Sequence, residues 1–260
     1  MNPSGPLAGP LAGLGIVLTR PRPQSLALIA PLEAAGARVL LCPSLDIVPF
    51  APEGESAAAL ATLPGAKFAV FVSANAVLHG LAAARRQGPW PESVTVAAVG
   101  EATAAALREA GIVNVVAPAG RADSEALLAL PQLQAVQGAP IIVFRGAGGR
   151  EHLKSVLEAR GAKVAYVECY RRVRPATDPA ETRAAIERGE IHAVHAMSAE
   201  SVENFGEIVG PALALEGVAL VVPHEAVARS PCCARFGQVV VAGPGARGLA
   251  DALVNLRRKA

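Results

Sequence analysis

The sequence predicts an α/β fold made of two similar parallel-sheet lobes, joined by two strand-like connectors, with a ligand cleft between the lobes. Three observations carry this. Short apolar runs alternate with helical stretches along the chain, the pattern of parallel sheets covered on both faces. FAVFVSAN, VAAVGEAT and HAVHAMSAE each hand over from apolar run to helix through glycine or a small polar residue. The chain also repeats itself: residues 32–39 read LEAAGARV and residues 157–164 read LEARGAKV, 125 positions on. That period is far too long for a solenoid, and two like lobes account for it. Paired lobes of this kind hold ligands between them.

Each element follows in order. GIVLT (15–19) is a first strand, and a helix runs on to about Ala35, where Gly36 is placed to cap it. Pro31 is expected to kink or weaken that helix. RVLLC resumes as a strand. The same β-α-β returns from Pro140 as IIVF, RGAGGREHLKSVLEARG and AKVAYVEC, with Arg20 aligned on Arg145 and Gly36 on Gly161. SLDIVPF (44–50) and CYRRVRP (169–175) are strand-like and carry proline near their ends, which suits connectors. FAVFVSANAVLHG (68–80) shares the pattern of HAVHAMSAESVENF (192–205), so Ser73 and Ser198 hold equivalent places. VAAVGEATAAALREAGIVNVVAP (96–118) finds its partner, with a small gap, in ALVVPHEAVARSPCCARFGQVVVAG (219–243).

Composition narrows the function. A net charge of +2, with no long basic block, argues against nucleic acid as the main partner. The four cysteines show no C-x-x-C and no zinc spacing, which suits thiols in a reducing cytoplasm. Residues 1–13, broken by proline and glycine, are expected to be a disordered tail, not a signal peptide. No apolar run reaches the roughly 18 residues of a membrane helix.

FRGAGGRE (144–151) is the most pointed stretch. Gly-rich backbone at a helix start, flanked by Arg145 and Arg150, makes an anion site, although a plain tight turn has the same composition. It is neither a dinucleotide fingerprint nor a phosphate-binding P-loop. VSAN (72–75), VGEAT (99–103) and MSAE (197–200) stand where strands become helices. Their Ser and Thr are helix caps in the first place; their recurrence at equivalent strand ends also suits a shared carboxylate or phosphate. Tyr170, in the second connector, either packs there or meets a ligand. His192 and His195 are three apart on a strand and face opposite sides, so they make no metal pair.

Together these stretches resemble the uroporphyrinogen-III synthase family. The resemblance rests on TRP (19–21), LEAAGA (32–37), FVSANAV (71–77), AVGEATAAALREAG (98–111) and RGAGGREHLKSVLEARGAKV (145–164) running into Tyr170, and spans roughly residues 14–255. It implies one lobe from 14–42 plus 174–260, another from 50–167, and connectors at 43–49 and 168–173. It implies cyclisation of hydroxymethylbilane, a linear tetrapyrrole with eight carboxylates, with inversion of ring D and loss of water. Hydroxide leaves the terminal carbon, ring D attacks at its substituted position, and a spiro intermediate breaks and recloses. No metal or organic cofactor is implied.

Carried over by resemblance, Tyr170 is the catalytic residue. The substrate-binding set is Arg20, Ser73, Asn75, Gly100, Thr103, Arg145, Gly146, Gly149, Arg150 and Ser198. The expected state is a cytoplasmic monomer, with hand-over from the bilane-forming enzyme and no nucleic-acid or membrane partner. Three positions depart from the family's pattern: Val222 stands where Gly is usual, Glu225 where Thr is usual, and Ser201 where a small Gly is common. Val222 and Glu225 favour a competing reading, a non-catalytic two-lobed binder or sensor of a small polycarboxylate, a diverged paralogue of the family.

Overall fold

The computed structural model describes residues 9–120, 123–243 and 245–258. Along the chain the elements are β1 (Gly15–Leu18), α1 (Arg22–Ala34), β2 (Arg38–Leu41), β3 (Asp46–Pro49), α2 (Gly54–Ala61), β4 (Phe68–Phe71), α3 (Ala74–Gln87), β5 (Thr95–Ala98), α4 (Glu101–Glu109), β6 (Val115–Val116) and α5 (Ser124–Leu128). They continue with β7 (Pro140–Gly146), α6 (His152–Ala159), β8 (Lys163–Val173), α7 (Ala180–Glu187), β9 (Ala193–His195), α8 (Ala199–Val209), β10 (Ala219–Val222), α9 (Glu225–Ala228), β11 (Gln238–Val241) and α10 (Gly245–Arg257). The chain divides into two compact units. One takes the described residues up to Asp46 and those from Val173 onward; the other is Ile47–Arg172.

The repeated octapeptide proves to be a helix end that turns into a strand. Gly36 and Gly161 take positive φ, 95° and 83°, a conformation cheap only for glycine. The residue after each sends its N–H back to the leucine five positions earlier: Ala37 to Leu32 and Ala162 to Leu157, both at 3.0 Å. This is a Schellman-type stop. Leu32 and Leu157 are buried under it. The strands that follow enter in the same register, Gly15 beside Arg38 and Pro140 beside Lys163. Pro31 does not break α1, which runs through it to Ala34.

In the first unit the sheet order is β11-β10-β9-β1-β2, and every pair is parallel. The strands GIVL (β1) and ALVV (β10) are buried along their whole length, as strands with both faces covered must be. Alternation then splits the core in two. Ile16 and Leu18 pack with Leu28 and Leu32 of α1 and Leu249 and Leu253 of α10. Val17, Val194 and Leu220 pack with Ile186 of α7 and Val202 and Phe205 of α8. Where the sequence predicts a tail up to residue 13, the chain from residue 9 is placed: Leu11 is fully buried in the α1/α10 layer and its N–H reaches Ala35 O at 2.8 Å. Leu14 is buried in the same layer, and Arg257 donates to Gly9 O and Pro10 O at 3.3 and 2.9 Å, so the turn is held from both sides.

In the second unit the order is β3-β8-β7-β4-β5-β6. Leave out the edge strand β3, and β7-β8 stands to β4-β5-β6 as β1-β2 stands to β9-β10-β11. The two sheets are therefore circular permutants of one doubly wound pattern. One face carries Leu60 of α2, Val77 and Leu81 of α3 and Leu107 of α4. The other carries Leu127 and Leu128 of α5 and Leu153 and Leu157 of α6. Phe71 and Phe144, neighbours on β4 and β7, stack with centroids 4.5 Å apart.

Candidate functional site

In an open α/β sheet, ligands bind beyond the carboxyl ends of the strands, where the strand order reverses. That point lies between β4 and β7 in the second unit and between β1 and β9 in the first.

In the second unit the point is built by α3, β7 and β8. Ser73 caps α3, its Oγ accepting the Ala76 N–H at 3.0 Å. The same Oγ lies 3.0 Å from the Tyr170 hydroxyl. Tyr170 is 4% exposed and is aimed by a register shift: β7 and β8 pair Arg145 with Glu168, then Gly146 with Tyr170, skipping Cys169. Bulges of this kind re-aim side chains. Gly146 is needed beneath the phenol, since a Cβ there would stand 2.7 Å from Tyr170 Cε2 and Cζ. The His79 ring lies 5.8 Å from that of Tyr170, and burial lowers the imidazole's pKa.

Arg145 is also 4% exposed, and its guanidinium turns back into its own loop. It lies 2.9 Å from Glu151 Oε1 and 3.8 Å from Glu168 Oε1. It donates to Gly146 O and Arg150 O at 3.2 and 3.4 Å and sits 4.3 Å from the centre of the Tyr166 ring. Gly149 leaves room for it, because a Cβ would fall 2.3 Å from Nη2. The charge is thus met twice within the unit, and this arginine binds the Gly-rich loop together. Arg150 is exposed. Gly100 caps α4 in extended backbone without a side-chain bond, and Thr103 is buried one turn on. Asn75 is half-buried in the first turn of α3. The structure thus brings Ser73, Gly146 and Tyr170 into contact, and Arg145, Gly149 and Arg150 into one loop. Gly100 and Thr103 stand at the neighbouring strand end.

In the first unit Ser198 caps α8, accepting the Ser201 N–H at 3.2 Å. Arg20 follows β1 and reaches Gln24 Oε1 at 3.2 Å. Between them lies a buried hydroxyl cluster that the sequence reading did not assign. Thr19 Oγ1 donates to His195 O at 2.9 Å and meets Ser201 Oγ at 2.9 Å; Ser44 Oγ donates to Ser201 O at 2.8 Å and meets the same Oγ at 2.9 Å. At the equivalent positions of the other unit stand Phe144, Cys169 and Ala76. The substitution of three apolar residues by hydroxyls was the signal available in the sequence. Glu225, placed where Thr103 stands in the first copy, is exposed and pairs with Arg229 at 3.8 Å.

His195 is 6% exposed. Burial first, and the Arg20 charge second, push its pKa down to about 4. Unfolded chain takes up that proton near pH 6.5, native chain only near 4, so native stability falls as pH drops through this window. The loss attributable to His195 should approach about 3 kcal/mol by pH 4. Urea titrations at stepped pH should show a flatter decline for His195→Val than for the wild type; equal slopes would remove His195 as the cause.

Among the described residues, no group of three His, Cys, Asp or Glu could hold a metal ion, and no helix is long and apolar enough to cross a membrane. Two doubly wound units, each with capped loops at a switch point, define a two-unit α/β protein. The family described as uroporphyrinogen-III synthase HemD matches residues 27–250. The uroporphyrinogen-III synthase of Salmonella typhimurium is 37% identical over 169 residues, covering 65% of this chain and 69% of that one. That of Escherichia coli is 30% identical over 197 residues, covering 75% and 80%. Two solved structures share the fold: a mutant uroporphyrinogen III synthase from Thermus thermophilus (TM-score 0.64, 21% identity, 95% of this chain and 100% of that one) and uroporphyrinogen-III synthetase from Helicobacter pylori (0.63, 14%, 94% and 100%). The chain belongs to the uroporphyrinogen-III synthase family.

Proposed function

We propose that this chain is a uroporphyrinogen-III synthase, closing hydroxymethylbilane with inversion of ring D and loss of water, without a cofactor. The family match over residues 27–250 carries the reading. The Ser73–Tyr170 pair adds chemistry to it. Ser73 Oγ already accepts from Ala76 N–H, so its own proton can go to the phenol oxygen. The Tyr170 O–H is then left to donate outward, in a chain whose bonds strengthen one another. At the terminal carbon the C–O bond breaks, and the departing hydroxide takes the phenol proton and leaves as water. The pyrrole nitrogen supplies the electrons. The remaining work is binding and orientation of the bilane, which loops at the strand ends of each unit provide through Ser73, Asn75, Gly100, Thr103, Gly146, Gly149 and Arg150, and through Arg20 and Ser198. Arg145 acts by holding its loop. The protein works as a cytoplasmic monomer and takes its substrate from the bilane-forming enzyme.

The test is direct. Incubation with freshly made hydroxymethylbilane, followed by oxidation and separation of porphyrin isomers, should show isomer III well above the spontaneous isomer I. Isomer I alone would refute the synthase and leave a polycarboxylate binder.

A further inference from the structure

The two repeated arginines have diverged. Arg145 is met by Glu151, Glu168 and the Tyr166 ring. Arg20, in the same place in the first unit, has no carboxylate partner among the described residues; its side chain reaches the neutral amide of Gln24. Among the described residues, three buried side-chain polar atoms lack a hydrogen-bond partner, and two of them are Arg20 Nε and His195 Nδ1. The two residues share a corner. β1 pairs Leu18 with His195, Thr19 binds the His195 carbonyl through both its N–H and its hydroxyl, and Arg20 follows at once. The third such atom, Tyr166 Oη, belongs to the other unit.

A buried donor left unmatched is costly, and the half-buried Arg20 guanidinium meets no carboxylate among the described residues. An incoming anion relieves both. Val221, opposite His195 on β10, is apolar, and Arg20 is the charged group that acts on the imidazole. The hydroxyl cluster of Thr19, Ser44 and Ser201 fixes the floor of this corner.

We propose that Arg20 and His195 form a carboxylate subsite at the switch point of the first unit, holding one acid side chain of the ligand through Arg20 Nε–H and His195 Nδ1–H. In the second unit the place of His195 is taken by Val70 and the guanidinium is already matched, so the subsite exists once. It rests on the synthase reading for the identity of its ligand, a tetrapyrrole acid side chain, but not for its chemistry. Filling it puts a negative charge beside the imidazole, which raises the affinity of His195 for a proton.

The experiment follows the His195 imidazole signal by NMR against pH in the whole chain, identified by its loss in His195→Gln. Two probes are used: uroporphyrinogen III kept reduced, and benzene-1,2,4,5-tetracarboxylate. Either should raise the His195 midpoint by about one unit or more. Arg20→Gln should raise the midpoint of the ligand-free protein, abolish most of the response, and weaken binding about tenfold. His195→Val, which installs the residue of the other unit, should weaken binding similarly with the fold intact. Turnover of hydroxymethylbilane by the wild type is measured alongside. Turnover with a His195 midpoint that neither probe moves overturns the subsite and leaves the synthase standing. A midpoint that moves with the tetracarboxylate in a protein that does not turn over supports the subsite and overturns the activity.

Discussion

Tyr170→Phe is expected to lower kcat for bilane cyclisation by about 10–100-fold, the low end of general-acid catalysis or just below it. The effect stays modest because the pyrrole nitrogen already expels the hydroxide and water can serve as donor. KM and fold should change little: the ring that packs over Gly146 remains, and Ser73 still caps α3 through Ala76. The fraction of isomer I formed on the enzyme should not rise, because isomer choice depends on how the chain is held. Tyr166→Phe is the control. Its hydroxyl faces Arg145 and Glu151 of the Gly-rich loop and not the Ser73–Tyr170 pair, so its removal should leave kcat alone. Steady-state rates with isomer analysis decide it. Full activity in Tyr170→Phe would reduce this residue to packing.

Phe144→Ala should destabilise the second unit by about 3–5 kcal/mol, the range for a large buried aromatic. Phe144 is fully buried. Its ring lies parallel to that of Phe71 and 6.4 Å from that of Trp90. α3 comes in close over it at Gly80, where a Cβ would stand 2.6 Å from the Phe144 ring. Truncation therefore removes the stack and leaves a cavity that the helix cannot collapse into without moving β4 or β7. Urea unfolding should show a lower midpoint with an unchanged slope. A loss under about 1 kcal/mol would mean that the layer repacks freely.

Much of the fold was legible because it is written locally. Gly36 and Gly161 announce helix ends, the apolar runs announce buried strands, and Ser73 and Ser198 announce caps. Each of these signals is complete within a few residues. The site was less legible because its meaning depends on residues far apart in sequence. Two arginines around a Gly-rich turn read as an anion grip; that Arg145 is already occupied depends on Glu168 and Tyr166, which arrive on the next strand. His195 read as inert by strand alternation, and only its packing beside Arg20 reveals an unmatched nitrogen. The skipped Cys169 that turns Tyr170 toward Ser73 has no sequence signature at all. Leu11 was lost among prolines and glycines that looked like a tail.

The interleaved order of the strands also sets a timetable. β1 is a central strand of its sheet, yet one of its two neighbours, β9, is made much later: Gly15 and the His192 that binds its N–H are 177 residues apart. At a ribosome's pace of about 5–20 residues per second, the first strand waits roughly 10–35 s for its companion. Meanwhile residues 47–172 emerge whole and can fold as a body. The newborn protein therefore carries a finished unit ahead of an apolar β-α-β stub with one bare edge, the kind of surface that aggregates or recruits a chaperone. The last third of the chain is thus needed to complete what the first forty residues begin, and ribosome stalling before β9 would strand those residues without a sheet.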